Sequence, residues 1–180
     1  MTKILRLKSW QTFGLIIILP IIFIILGAIL SIITGIKASV ILLSFIAAIT
    51  MMISYYGWIW TAGIAMYKQG ITYSKRKLNV FKLLFVLALF FSLFIIPILK
   101  TALSVESLYL IQIIGLVPLV SFFYCIYFTA KSIRNIEMQR KIRTSYMFLD
   151  FVLIWILPIG IWIIQPRVNE ILSNKEEKAL

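Results

Sequence analysis

The sequence predicts an all-α fold, a polytopic membrane helix bundle, on three observations. First, the 180 residues are 62% hydrophobic and only 13% charged, and the mean hydropathy is +1.05. A soluble domain is nearer half apolar and about a quarter charged. Second, the apolar residues form runs close to the roughly 20 residues that a helix needs to cross a bilayer. Third, these runs are continuous rather than alternating, which favours helices over the strands of a membrane barrel.

Five hydrophobic segments follow one another in a single transmembrane domain, residues 1–180. The predicted spans are residues 13–33, 40–66, 80–99, 108–130 and 146–164. The first follows a basic N-terminus and is too long for a cleaved signal sequence, so we expect it to remain as a signal anchor. Residues 165–180 are predicted to form a polar tail.

The fifth segment admits two topologies. Its uninterrupted apolar part, residues 151–164, is short enough for a re-entrant or interfacial segment. Pro158 and Gly160 also fall in the middle of this run, where a re-entrant turn would need a break. The preferred prediction is a full crossing that places the tail outside the cytoplasm. The alternative is four spans plus a re-entrant or interfacial C-terminal segment.

The basic residues predict the orientation of the chain. Thirteen of them lie in the N-terminus and in the two alternate loops after the second and fourth spans. The two other loops carry only Lys37 and Lys100. By the positive-inside rule, the N-terminus and both basic loops are therefore expected in the cytoplasm.

The net charge of +12 is therefore mainly a topology signal, and anionic lipid headgroups are the expected counter-charge. Nucleic acid is not expected as a partner, because the basic loops are short and present no folded surface for bases. Trp10, Trp58, Trp60 and Tyr67 are expected to anchor the spans in the headgroup layer. The candidate headgroup contacts are Lys75, Arg76, Lys77, Arg140, Lys141 and Arg143.

Asp150 is the only acidic residue inside a predicted span, and an ionisable residue at membrane depth is a candidate functional site. It lies only four residues past the predicted start of the fifth span. There, a carboxylate is stabilised by the free N–H groups and the dipole of a helix N-terminus. The favoured interpretation is an interfacial, paired residue that marks where the helix begins, with Lys141 and Arg143 close in sequence. A transport or proton-relay role is the alternative.

Proline interrupts four of the predicted spans. It removes a backbone hydrogen bond and bends a helix, and such bends shape transporter cavities but also occur in bundles that have none. Small residues such as Gly27 and Gly57 would allow close helix contact, either within the chain or in a homo-oligomer. The candidate kinks are Pro20, Pro97, Pro118 and Pro158.

The sequence carries no recognisable catalytic or cofactor motif. It has no histidine and a single cysteine, Cys125, so the commonest metal ligand and a multi-cysteine metal site are both excluded. It also has no phosphate-binding glycine loop, no zinc-protease motif and no pair of carboxylates within the spans. We therefore expect neither an enzyme nor a bound cofactor.

The C-terminal stretch Pro158-Ile159-Gly160-Ile161-Trp162, followed by Gln165-Pro166-Arg167 and Asn169, resembles an uncharacterised family of small multi-pass membrane proteins. Its members occur in Bacteroidota, particularly flavobacteria. The resemblance covers most of the chain and includes "LKSWQ" near the start and "YYGWIWTAG" in the second span. Relatives usually carry Glu at the position of Asp150. The resemblance implies an inner-membrane location and a recurring C-terminal motif, and it implies no activity.

Three functions are compatible with these features. The leading hypothesis is a non-enzymatic structural or accessory subunit that acts through helix packing with itself or with a membrane-protein partner. The first alternative is a small channel or transporter built from proline-kinked helices, with Asp150 near its cytoplasmic mouth. The second alternative is a membrane-perturbing effector.

Overall fold

The computed structural model describes residues 3–69, 75–95, 108–138 and 147–177, and these residues are almost entirely helical. A short 3-10 turn, Lys3–Arg6, is followed by six helices. These are α1 (Ser9–Thr34), α2 (Ala38–Gln69), α3 (Lys75–Ile95), α4 (Leu108–Glu137), α5 (Phe148–Trp155) and α6 (Leu157–Glu177). The all-α prediction is confirmed.

Four helices within the described residues are long and apolar enough to cross a membrane. They are α1, α2, α3 and the part of α4 from Gln112 to Glu137, and they correspond to the first four predicted segments. Each leaves bulky apolar side chains exposed, among them Ile22 of α1, Phe45 of α2 and Val120 of α4. Exposed apolar surface of this extent is typical of helices in contact with lipid.

The predicted fifth crossing is not confirmed, because its described residues, 147–164, do not form one continuous helix. Helix α5 ends at Trp155 and α6 begins at Leu157. The predicted polar tail, residues 165–180, also differs from the structure. Residues 165–177 continue α6, with Val168 and Leu172 buried. Polar composition led to the prediction of a tail, whereas one apolar stripe is enough to pack a helix.

The chain divides into two compact units. The first contains residues 1–65 and 148–180, and the second contains residues 66–147. Helix α2 therefore belongs to the first unit as far as Ala65, and its last turn belongs to the second.

In the first unit, α1 and α2 form a helical hairpin. Helix α1 ends at Gly35, whose φ of 69° is the left-handed conformation that favours glycine, and whose N–H donates to the Ser31 carbonyl at 2.9 Å. Gly27 allows the two backbones to approach closely, because a Cβ there would lie 3.1 Å from Cβ of Leu43. Small residues at such contacts are the usual basis of helix packing in membranes.

Helix α1 also contains a π-helical turn, Gly14–Ile18, which is separated from Pro20 by Leu19 alone. The Leu19 N–H donates to the Gly14 carbonyl, five residues back rather than four. Because proline has no N–H to donate, a widened turn at this point lets the helix continue past it. A second π-helical turn, Phe91–Ile95, ends α3.

The second unit is built on contact between α3 and α4. Phe81 of α3 stacks on Phe128 of α4 with 4.6 Å between the ring centroids, and Tyr67 stacks on the same ring at 6.5 Å. Phe81 is fully buried, as are Cys125 and Ile133 of α4. This aromatic cluster joins the start of α3 to the C-terminal half of α4, so the two helices run antiparallel.

Candidate functional site

The candidate site is a cluster of buried polar groups in the first unit. Asp150 is the third residue of α5, so its predicted position in the first turn of a helix is confirmed. The residue is 2% exposed, and its carboxylate forms a bidentate pair with Arg167 of α6. The two hydrogen bonds, from Nη1 to Oδ1 and from Nη2 to Oδ2, measure 2.6 Å and 3.3 Å.

This ion pair requires the chain to fold back on itself. In one continuous helix, residues 150 and 167 would be separated by about 26 Å along the axis, because each residue adds about 1.5 Å. Their side chains are instead in direct contact. Helices α5 and α6 are therefore the two arms of a helical hairpin, with the turn at Ile156.

Gly160 allows the two arms to meet closely. A Cβ atom at this position would overlap the carbonyl oxygen of Leu153 and would lie 2.9 Å from the Leu153 Cα. These neighbours are backbone atoms, which cannot move aside as a flexible side chain can. The glycine is therefore required by the hairpin rather than by a turn conformation.

The break between α5 and α6 leaves backbone carbonyls without helical donors. The donor that a continuous helix would supply to Ile154 is the backbone nitrogen of Pro158, which carries no hydrogen. The corresponding donor for Trp155, the N–H of Ile159, bonds instead to the Ile156 carbonyl at 3.0 Å. The hydroxyl of Tyr55 in α2 lies 2.9 Å from the Ile154 oxygen and 3.1 Å from the Trp155 oxygen. Tyr55 thus caps the end of α5 from a neighbouring helix.

Gln165 is the centre of the cluster and is fully buried. Its side-chain oxygen accepts a 2.7 Å hydrogen bond from the indole N–H of Trp58. Its side-chain nitrogen donates to the carbonyls of Leu5 at 2.7 Å and Leu7 at 2.9 Å. Both amide hydrogens and the amide oxygen are therefore used, which is the condition under which a buried polar side chain stabilises a fold.

Asn169, one helical turn after Gln165, adds a bond from its side-chain nitrogen to the Leu7 carbonyl at 3.2 Å. The carbonyls of Leu5 and Leu7 lie in and just after the 3-10 turn, before α1 begins. The hydrogen bonds that they accept come from side chains of α6. A third contact joins the same elements, because the rings of Phe13 and Trp162 lie 5.8 Å apart. The N-terminal segment is therefore attached to α6 by polar and apolar contacts together.

The other predicted site residues are scattered. Lys75, Arg76 and Lys77 are exposed in the first turn of α3, while Arg140, Lys141 and Arg143 lie outside the described residues. Pro118 lies within α4, which continues past it. Pro158 is the second residue of α6, next to the helix break, and Pro97 lies outside the described residues.

Trp58 is a further correction, since we expected it in the headgroup layer. It is fully buried and bonded to Gln165, whereas Trp10 is exposed. An indole can satisfy its N–H either at the membrane interface or on an internal acceptor, and sequence position does not distinguish the two.

The sequence interpretation missed Gln165, Arg167 and Asn169 as site residues and treated them as part of a tail. Two signals were present. Gln165 and Asn169 are four residues apart and so share a helix face. Arg167 follows a Pro-Ile-Gly stretch that could reverse the chain and return it to Asp150. In the part of the chain that the structure describes, no group of three His, Cys, Asp or Glu side chains could hold a metal ion.

Comparison with protein-family models finds no matching family, and comparisons with curated proteins and with solved structures find no similar chain.

Proposed function

We propose that this chain is a non-enzymatic integral protein of a bacterial inner membrane, a structural or accessory subunit that acts through helix packing with itself or with a membrane-protein partner. The observation that carries this proposal is the use of the buried polar groups. Asp150 is paired with Arg167, and Gln165 and Tyr55 bond to backbone and side-chain groups of the same chain. These side chains stabilise the fold, and the surface left for a partner is the apolar exterior of the helices.

The proposal includes four crossings with both termini in the cytoplasm. The basic N-terminus and the basic first turn of α3 favour that side by the positive-inside rule. Gln165 and Asn169 bond to Leu5 and Leu7, which supports placing α6 on the same side as the N-terminus. This topology replaces the five-crossing prediction. The exposed lysine and arginine side chains would then contact anionic lipid headgroups.

Two cysteine variants test the orientation. Lys77 is exposed at the start of α3, and Ile36 is exposed in the connection between α1 and α2. The native Cys125 is fully buried, so it contributes little background labelling. In spheroplasts, an impermeant thiol reagent should label Ile36→Cys and should label Lys77→Cys only after lysis. Labelling of Lys77→Cys in intact spheroplasts would contradict the topology.

The subunit role is tested by extraction into lipid nanodiscs directly from the membrane. A structural or accessory subunit should be recovered in a complex larger than one 20.8 kDa chain. Recovery as a monomer, together with solute flux in proteoliposomes, would overturn the proposal.

A small channel or transporter is the second candidate, and one observation favours it. Broken helices are a recurrent feature of transporter binding sites, and α5 and α6 form such a break with the ionisable Asp150 six residues before it. The subunit role is preferred because Tyr55 and Arg167 already occupy the freed carbonyls and the carboxylate. Flux that Asp150→Asn abolishes at unchanged expression would favour the transporter.

A further inference from the structure

The turn of the α5–α6 hairpin and the first two turns of α6 carry an exposed apolar surface that the polar cluster does not use. We call this surface the hairpin tip. Its five large side chains are between 45% and 68% exposed. No charged residue occurs anywhere between Asp150 and Arg167. The tip residues are Trp155, Ile156, Ile159, Trp162 and Ile163.

The ion pair at the other end of the hairpin gives the tip a direction. Asp150 and Arg167 close the open end of the two arms. Six residues of helix separate Asp150 from the turn at Ile156, which corresponds to about 9 Å. The hairpin therefore has a charged, hydrogen-bonded base and an apolar end about 9 Å away.

Contacts with α1 indicate what surrounds the tip. The ring of Trp162 packs 5.8 Å from that of Phe13, in the first turns of α1. Beyond Phe13, α1 continues with exposed apolar side chains such as Ile18, Ile21 and Ile22. The tip is thus continuous with the apolar surface of a helix that is long and apolar enough to cross a membrane. The same environment, hydrocarbon, fits both surfaces.

The length of the hairpin limits how far it reaches. The hydrocarbon core is about 30 Å thick, so one leaflet supplies about 15 Å. With the ion pair at the interface, where charged groups are least costly, the turn at Ile156, the deepest part of the tip, would lie about 9 Å into that leaflet. It would end short of the bilayer centre.

We propose that the hairpin tip is a wedge inserted into the acyl chains of the leaflet on the N-terminal side and ending within that leaflet. This inference rests on the proposed membrane location of the chain. A wedge in one leaflet displaces lipid on that side only, so the surface would couple the protein to local lipid packing. The exposed Trp162, six residues after the turn, would then lie nearer the interface, where tryptophan rings are favoured.

Depth-dependent fluorescence quenching tests the wedge in the full chain reconstituted into lipid nanodiscs. A fluorophore is attached to Ile159→Cys in a Cys125→Ser background, with spin-labelled lipids carrying the quencher near the headgroup, at mid-chain or at the acyl-chain end. The matched control is Ile22→Cys in α1, which is similarly apolar and exposed. We expect the mid-chain quencher to be the most effective at position 159 and the quencher at the acyl-chain end to be the most effective at position 22.

The outcomes separate this inference from the proposal on which it rests. Quenching at position 22 without lipid quenching at position 159 would overturn the wedge and leave the membrane location standing. Strongest quenching at position 159 by the acyl-chain-end quencher would also overturn it, because the segment would then reach the bilayer centre, and strongest quenching there by the headgroup quencher would overturn it because the tip would then lie at the surface. Absence of lipid quenching at both positions would overturn the wedge and the membrane location together.

Discussion

The guanidinium of Arg167 holds the carboxylate of Asp150 through two hydrogen bonds of 2.6 Å and 3.3 Å, although the two residues are seventeen positions apart in the chain. Asp150 is almost completely buried, while the Arg167 side chain is 23% exposed. The pair therefore lies at an edge of the first unit, where one partner retains access to its surroundings. It closes the hairpin at the end opposite the turn.

Removing one partner should cost more than the loss of a helix cap. Asp150→Leu loses the favourable interaction of a carboxylate with the N-terminal end of α5, a cost of up to about 1 kcal/mol, and leaves the Arg167 charge without this acceptor. Breaking a fully buried pair costs about 3–5 kcal/mol, but the exposure of Arg167 reduces that figure, so we expect about 2 kcal/mol. Titration of the bicelle-reconstituted protein with SDS, followed by circular dichroism, measures the unfolding free energy.

A double-mutant cycle isolates the pair itself. Asp150→Leu combined with Arg167→Leu should recover part of the loss, since no charge is then left unpaired. Glu170→Leu is the control, because Glu170 is an exposed carboxylate on the same helix. Additive effects of the two substitutions would show that the contact contributes nothing to stability.

Gln165 should be among the polar residues to which the fold is most sensitive. Gln165→Met keeps the length of the side chain but removes the acceptor for Trp58 and the donor for the Leu5 carbonyl. Each buried group left without a partner costs about 1–3 kcal/mol, so a loss of about 2 kcal/mol or more is expected in the same titration. Gln112→Met on the exposed face of α4 should change stability little. Equal effects at the two positions would mean that the buried bonds are not formed in the membrane.

Gly160→Ala should disrupt the hairpin, whereas Gly115→Ala should not. A methyl group at position 160 would collide with the backbone of Leu153, while the same group at position 115 meets nothing within 4 Å. Alanine favours a helix by about 1 kcal/mol over glycine, so Gly115→Ala should be neutral or stabilising. The readout is crosslinking, by a short bifunctional reagent, of a cysteine pair at the hairpin base, Asp150→Cys with Arg167→Cys. Crosslinking of this pair should fall when Gly160→Ala is added and should not fall when Gly115→Ala is added. Unchanged crosslinking would contradict the close approach.

The first four helices were predictable because their signal is local. A run of about 20 apolar residues is sufficient to specify a membrane helix, and Gly35 follows the last residue of α1 as a helix-ending glycine should. The fifth segment was not predictable in the same way. Its average hydrophobicity favours a crossing, and the hairpin depends on long-range contacts that a hydrophobicity profile does not contain.

The site was predictable only at Asp150. A lone carboxylate in an apolar run is conspicuous, and its place at the start of a helix followed from the sequence. Its partner, Arg167, was not predicted, because Lys141 and Arg143 are closer to Asp150 in the sequence. Tyr55 was missed for a related reason. Its role depends on the missing N–H of Pro158, about a hundred residues further along the chain, and on the position of the helix break.

Thr129 provides the last prediction. Helical threonines in the rest of the described chain donate their hydroxyl to the carbonyl four residues back, as Thr34, Thr50 and Thr61 do. Thr129 in α4 is fully buried, and its hydroxyl has no hydrogen-bond partner among the described residues. A buried hydroxyl without a partner costs about 1–3 kcal/mol. Valine has the same branched shape without the hydroxyl, so Thr129→Val should stabilise the protein by about 1 kcal/mol.

Thr61→Val, which removes an existing 2.7 Å bond to the Gly57 carbonyl, should be neutral or slightly destabilising and serves as the control. Loss of stability in Thr129→Val would instead mean that the hydroxyl is satisfied in the membrane by a buried water molecule or another polar group, and α4 would then contain a second polar site.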